Sequence, residues 1–431
     1  MTDRDRGTRR MLAGLLADSH VMSFEALPTR VAGHAAKAGL SEVLIYLGDL
    51  QRDVLRLMTG RGLDAAQEPD GHDTEMAVEG TVAGRAYQYG QVLPACASRG
   101  EGPYRWWVPL LDGTERLGVL HLAAAADDDQ AREDMLSLAS LVAMLVVGGR
   151  DTSDSHARLC RVQPMNVAAE MQWQLMPPRA YADSRVVIGA VMEPAYQVSG
   201  DAFDYATADD VVHLSVFDAM GHDTAAGLTA NLALGACRNN RRQGTGLTDL
   251  GAAIEGVLIE QFATSRFVTG ILADLNTSTG ILTWVNHGHH PPVVIRGGHW
   301  STQLRCEPTH PLGTSLGLPV RLCREQLEPG DRVVFYTDGI TEARTAAGQE
   351  FGLARFVDFL IRHHADGLSV PETLRRLVRS LLTHHNGHLQ DDATILFCEW
   401  LGPTPDTTGP ASPAGVPLPP PPTSSPHDVV T

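Results

Sequence analysis

The stretch Val216-Phe-Asp-Ala-Met-Gly-His-Asp-Thr-Ala-Ala226 decides the fold. An apolar run ends on Asp218, a glycine turn follows at Gly221, and a helical pattern starts at Thr224. One aspartate beside a glycine turn is ordinary turn chemistry. Three more stand in comparable places: Asp201 in Val198-Ser-Gly-Asp, Asp338 in Tyr336-Thr-Asp-Gly and Asp391 in Gln390-Asp-Asp-Ala-Thr. Hard divalent cations take several oxygen ligands, and carboxylates gathered from distant strand ends supply them for Mg²⁺ or Mn²⁺. Rigid strand ends let such groups converge accurately, and Gly200, Gly221 and Gly339 let the backbone pass close to an ion or offer it a carbonyl. The set reads as a site for metal-assisted chemistry on phosphate.

Around this site, strand patterns are dense at 186–192, 211–217, 267–275, 280–285, 292–296, 332–336 and 394–400, with helical patterns at 224–238, 247–262, 353–363 and 370–384. Turn signals such as that at 276–280 predict a mostly antiparallel sheet with helices packed outside, an α+β fold. Upstream, apolar residues at helical spacing over 165–176 stop at Pro177-Pro178, so a linker helix is expected there. It is placed either to transmit a signal or simply to pack. Residues 402–431 hold ten prolines and few large apolar groups, the composition of a disordered or polyproline II tail.

Composition narrows the function. A net charge of −17 opposes a nucleic-acid partner, since phosphate backbones repel an acidic surface. The N-terminus carries charges of both signs without an apolar core, so no secretory signal is expected. The apolar stretch at 136–147 is too short to span a bilayer, and the chain is expected in the cytoplasm. The six cysteines lack a Cys-x-x-Cys pair, which favours reduced thiols over disulfides or zinc.

Residues 1–150 run helix (25–39), strand (42–48), strand (53–59), the segment Gly80-Thr-Val-Ala-Gly-Arg-Ala-Tyr, strand (106–111), a turn at Asp112-Gly113, strand (116–122) and a long helix (128–147). This order, with Val108-Pro-Leu-Leu and Leu117-Gly-Val-Leu, resembles a GAF domain, a sensory module with a central antiparallel sheet. The resemblance implies a small-molecule pocket or a dimerisation platform, and with the linker helix a homodimer.

From Glu193 onward a second resemblance appears. Glu193-Pro-Ala-Tyr-Gln-Val-Ser-Gly-Asp-Ala-Phe-Asp-Tyr, Val216-Phe-Asp-Ala-Met-Gly-His, Phe267-Val-Thr-Gly, Asn286-His-Gly-His-His-Pro-Pro, Phe335-Tyr-Thr-Asp-Gly-Ile-Thr-Glu-Ala and Gln390-Asp-Asp-Ala-Thr-Ile-Leu resemble, in order, the motifs of the PPM-type protein phosphatases related to stage II sporulation protein E. That implies an α-β-β-α sandwich over 186–401, after a linker at 151–185, with two Mn²⁺ or Mg²⁺ ions. Asp218 would bridge the ions, the carbonyl of Ala219 would bind one, Asp201 would serve the first, and Asp338 and Asp391 the second. Asp218 and Asp338 are the expected catalytic carboxylates. Two ions roughly 3.5–4 Å apart make a water nucleophilic near neutral pH. The implied reaction is hydrolysis of phosphoserine or phosphothreonine on a regulatory protein, such as an anti-sigma factor antagonist, under control of the N-terminal unit.

Asp204 and Asp392 lie close enough for supporting roles, although solvated or capping carboxylates are the simpler reading. His222 could orient a water or be structural. His287, His289 and His290 resemble a zinc cluster, but adjacent strand-loop positions point in different directions, so a structural role is expected; His384, His385 and His388 read as solvated. Against the family pattern, Asp223 replaces the last residue of Gly-His-Gly and Ser199 the first of Gly-Gly-Asp. No arginine is evidently placed to clamp phosphate, and no Cys-x₅-Arg loop supports a cysteine nucleophile. The alternatives are a non-catalytic sensor or scaffold and, from His222-Asp223, an HD-type phosphohydrolase. Such sites are built on helices, whereas these ligands follow strand patterns.

Overall fold

The computed structural model describes residues 3–60, 73–95, 103–344, 349–365, 368–384 and 391–403. Expectations for Cys96, His385, His388, Gln390 and the tail beyond 403 lie outside the described residues.

The first unit contains α1 (Asp3–Ser19), α2 (Leu27–Ala35), β1 (Leu40–Gly48), β2 (Val54–Leu57), β3 (Glu75–Ala77), α3 (Val82–Tyr89), β4 (Leu93–Pro94), β5 (Tyr104–Asp112), β6 (Glu115–Ala124) and α4 (Asp129–Arg150). The strands form one antiparallel sheet in the order β3-β2-β1-β6-β5-β4, the central sheet expected for residues 1–150. Side chains alternate across it. Ile45, Val108 and Leu120 meet Leu15, Val31, Leu138 and Val142 of α1, α2 and α4 on one face, while Tyr46 and Val119 meet Ala83 and Tyr87 of α3 on the other. Asp128 caps α4 by accepting from the Ala131 amide at 2.7 Å.

Two short helices connect the units: α5 (Asp154–Cys160), which the sequence pattern did not announce, and α6 (Val167–Leu175). Asn166 caps α6, and the chain leaves it extended at Met176 before Pro177-Pro178, as the prolines require.

The second unit runs β7 (Ala180–Ala182), β8 (Val186–Glu193), β9 (Asp201–Ala208), β10 (Val211–Ala219), α7 (Thr224–Arg241), α8 (Leu247–Phe262), β11 (Val268–Asn276), β12 (Ile281–His287), β13 (Val293–Arg296), β14 (Trp300–Gln303), β15 (Cys323–Gln326), β16 (Arg332–Tyr336), the single turn α9 (Asp338–Thr341), α10 (Leu353–Ala365), α11 (Val370–His384) and β17 (Ala393–Trp400). Its strands make two antiparallel sheets, β15-β12-β11-β10-β9 and β14-β13-β16-β17-β8-β7. Phe203, Phe217, Phe335 and Leu396 belong to one core with the inward faces of α7 and α8, and α10 and α11 pack on the opposite side through Phe356, Leu360, Leu374 and Leu377. The layers are therefore α-β-β-α. Each fully buried phenylalanine contributes roughly 1.5–3 kcal/mol, so this stack holds the sheet ends in fixed positions.

One expectation is overturned. Cys306 and Cys323 form a disulfide with Cα atoms 5.9 Å apart, whereas Cys160, Cys237 and Cys398 are free thiols. The two lie 17 positions apart in the sequence. Only the return of the chain to the edge strand β15 brings them together, which a search for short cysteine motifs does not detect. Among the described residues no single helix is long and apolar enough to cross a membrane.

Candidate functional site

Asp218 and Asp201 stand directly opposite each other in the β9–β10 ladder. Directly opposed residues in an antiparallel pair have Cβ atoms about 4.5–5.5 Å apart, where two carboxylates repel. On its other side Asp218 faces Thr269 of β11. Pairing of β16 with β17, Tyr336 opposite Ile395, brings Asp338 and Asp391 to the matching end of the second sheet. Thr337 ties the two sheets together: its hydroxyl donates to Asp201 Oδ2 at 2.7 Å and accepts from the Thr394 amide at 2.9 Å.

The loop ahead of Asp201 is held from two directions. The Ser199 hydroxyl accepts from the Asp201 amide at 2.9 Å, and the Gly200 amide donates to Asp392 Oδ2. A Cβ on Gly200 would overlap the Gly221 carbonyl, and one on Gly339 would overlap the carbonyl of Asp392, so only glycine permits these approaches. From the linker, Gln172 of α6 donates to the carbonyls of Ser199 (2.9 Å) and Asp201 (2.7 Å) and accepts from the Ser199 amide at 3.0 Å. Gln172, Thr337 and Thr394 escaped the sequence reading because polar residues inside apolar runs carry no positional signal until their partners are known.

The electrostatics follow from crowding. Burial, then the neighbouring Asp218 and Asp392 charges, drives the Asp201 carboxyl far above the usual range. Burial, followed by Asp338, Asp391 and Asp392, pushes Asp218 up to about 7. Asp392 rises to about 6, mainly through burial. No three His, Cys, Asp or Glu side chains stand at coordination distance among the described residues. The same carboxylates nevertheless crowd and repel each other at one sheet end. All-oxygen donors with unbalanced negative charge fit a hard divalent cation.

Other sequence candidates fall elsewhere. Asp204 is neither solvated nor near the cluster: it is 1% exposed and pairs with Arg238 and Arg241 of α7 at 2.6 and 2.7 Å. Asp392 is likewise not a solvated carboxylate, since it is buried and receives the Gly200 amide. Asp223 caps α7 by accepting from the Ala226 amide at 2.7 Å and lies 3.7 Å from Arg266. His222 is exposed on the same loop. His289 joins the sheets: Nδ1 accepts from the Thr269 hydroxyl at 2.8 Å, and Nε2 donates to the Tyr336 carbonyl at 3.1 Å. His287 is buried beside Gly251 of α8, and His290 is exposed with its ring stacked on Tyr336, so the three do not converge on a zinc ion.

The family model for stage II sporulation protein E (SpoIIE) matches residues 208–401, which include Asp218, Asp338 and Asp391. The chain is 24% identical over 275 residues to the phosphoserine phosphatase RsbU of Bacillus subtilis, covering 61% of this chain and 79% of that protein. It is 25% identical over 267 residues to protein IcfG of Synechocystis, covering 54% of this chain and 39% of that protein. Among solved structures, the SiaA-PP2C domain of Pseudomonas aeruginosa is 19% identical with a TM-score of 0.46, covering 54% of this chain and 94% of that one. Residues 208–401 therefore belong to a PPM-type phosphatase domain of the stage II sporulation protein E family.

Proposed function

We propose that the chain removes phosphate from phosphoserine or phosphothreonine on a regulatory protein, with Asp201, Asp218, the Ala219 carbonyl, Asp338 and Asp391 holding two Mn²⁺ or Mg²⁺ ions. The enzyme class, a protein-serine/threonine phosphatase, follows from the domain family and from its phosphoserine phosphatase relative. The observation that carries the site is Asp218 facing Asp201 across β9 and β10, with Asp338 and Asp391 brought to the same end by β16 and β17. When bound, divalent ions supply Lewis-acid neutralisation of the phosphoryl charge and a more acidic water.

The chain's own residues set the frame for that chemistry. Thr337 fixes the rotation of the Asp201 carboxylate, the Ser199 hydroxyl and Gln172 hold its backbone, and Gly200 and Gly339 let the two loops touch. We assign residues 1–150 as a GAF-like sensory unit, 151–185 as the linker, 186–401 as the phosphatase unit and 402–431 as a proline-rich tail. The first unit would take a small ligand and pair the chain as a homodimer in the cytoplasm. A phosphorylated regulator such as an anti-sigma factor antagonist is the proposed substrate, in keeping with the likeness to the phosphoserine phosphatase RsbU.

Purified protein should hydrolyse p-nitrophenyl phosphate and a phosphoserine protein with Mn²⁺, lose activity in EDTA, and fall about 100-fold or more in Asp218→Ala and Asp338→Ala. Full activity in either variant would remove the two-ion site. A folded wild type that binds Mn²⁺ yet hydrolyses none of the phosphoproteins tested would favour the scaffold reading.

A further inference from the structure

Between the first unit, the linker helices and the segment 176–179 that leads into β7 lies a cavity of about 740 Å³, separate from the aspartate cluster. Five arginines line it, but they differ in their partners. Arg150 pairs with Glu115 at 3.1 Å and Arg161 with Glu170 at 2.6 Å. Asp151 and Asp154 are exposed residues of the lining. The Asp49 carboxylate is already taken by three backbone amides, those of Gln51, Asp53 and Val54, at 2.7–3.0 Å.

Arg52, Arg116 and Arg179 have no carboxylate within ion-pair distance among the described residues. Arg52 is 8% exposed, its Nη2 has no hydrogen-bond partner, and neither has Nε of Arg116. The loop that carries Arg52 is built rather than loose: Asp49 clamps it, and Arg52 itself holds a left-handed φ of 64°, which a non-glycine residue adopts only under constraint. Arg179 donates to the Leu50 carbonyl at 2.5 Å and lies over the Trp173 ring at 5.6 Å. Burial pushes the Arg116 and Arg179 guanidiniums down to about 10, and Arg52 repels both. Arg52 and Arg116 line the cavity and each keeps one buried guanidinium nitrogen without a hydrogen-bond partner, a cost that an oxyanion accepting from the lining arginines would offset.

We propose that this cavity binds a small phosphate-bearing anion through Arg52, Arg116 and Arg179. Its volume suits a ligand of metabolite size, and three guanidinium groups match a multiply charged phosphate better than a single carboxylate. The ligand would rest against α6 beside Trp173, whose indole donates to the Ala195 carbonyl at 2.8 Å, one position from the Gln172 that braces Asp201. Occupancy of the cavity thus bears on the helix that supports the hydrolytic site, yet binding itself does not depend on the phosphatase reading.

The test is isothermal titration of the full-length chain with pyrophosphate in EDTA, which keeps divalent ions away from the aspartates. Saturable binding is expected, weakened about tenfold or more by Arg52→Gln and by Arg116→Gln, and unchanged by Asp218→Asn and Arg161→Gln. Parallel titrations with inorganic phosphate and ATP separate a bare oxyanion from a nucleotide, and saturable binding of either supports the site. Should the arginine variants fail to fold, hydrogen exchange on the wild type decides. Pyrophosphate should slow exchange in 49–54 and 172–179. Absence of saturable binding for all three probes, loss of binding in Asp218→Asn, or protection confined to other segments would overturn the proposal.

Discussion

At the residue scale, two buried titratable groups respond to pH in opposite directions. Burial lowers His289 from its ordinary 6.5 to about 4, so the neutral ring is the folded form. Stability from this residue is complete above pH 6.5 and is lost as pH falls toward 4, by up to roughly 3 kcal/mol. Glu193, 5% exposed, behaves the other way: burial raises it from 4.5 to about 7, so its contribution is complete below pH 4.5 and is lost as pH rises through 7, again by up to roughly 3 kcal/mol. The two oppose each other within one window, and urea unfolding of variants beside the wild type separates them. Glu193→Gln should stabilise the protein at pH 8 and have little effect at pH 4. His289→Gln should flatten the loss of stability between pH 6.5 and 4. A Glu193→Gln variant with no gain at pH 8 would show that the carboxyl ionises without cost in the fold.

At the element scale, α6 is the mechanical link between the units. The placement of this helix was legible because its apolar spacing and the double proline are local signals. Its use was not, since the sequence treats Gln172 as one more polar position in a helix. In the fold it is fully buried and makes three hydrogen bonds to the loop of Asp201. Gln172→Ala leaves those backbone groups buried without partners, and it should cost about 2–4 kcal/mol and weaken Mn²⁺ binding. Calorimetric unfolding and metal titration check both. A variant that loses stability but binds Mn²⁺ like the wild type would separate the brace from the site.

For the whole molecule, a charged contact joins the first unit to α11. Arg375, inside that helix, meets Glu372 at 2.9 Å, Glu79 at 2.5 Å and Asp53 at 3.6 Å. Glu372 is 1% exposed and depends on Arg375 and Arg376, whereas the Glu79 side chain is about half exposed. Arg375→Ala should therefore cost about 3 kcal/mol, and Glu79→Ala less than about 1 kcal/mol. Limited proteolysis and unfolding would measure the difference; equal losses would mean that the contact between units, not the buried pair, carries the energy.

Most strand and helix positions, and the gathering of acidic residues at turns beside strand ends, could be read from the chain alone, because hydrophobic period and turn residues are local properties. Folding alone reveals that Asp201 faces Asp218 in register, that Thr337, Gln172 and Asp392 brace them, that Asp204 pairs with two arginines, and that Cys306 reaches Cys323. The physical reason is distance along the chain. These relations join residues far apart in sequence, and whether a polar group is solvated, capped or buried depends on which surface folds over it.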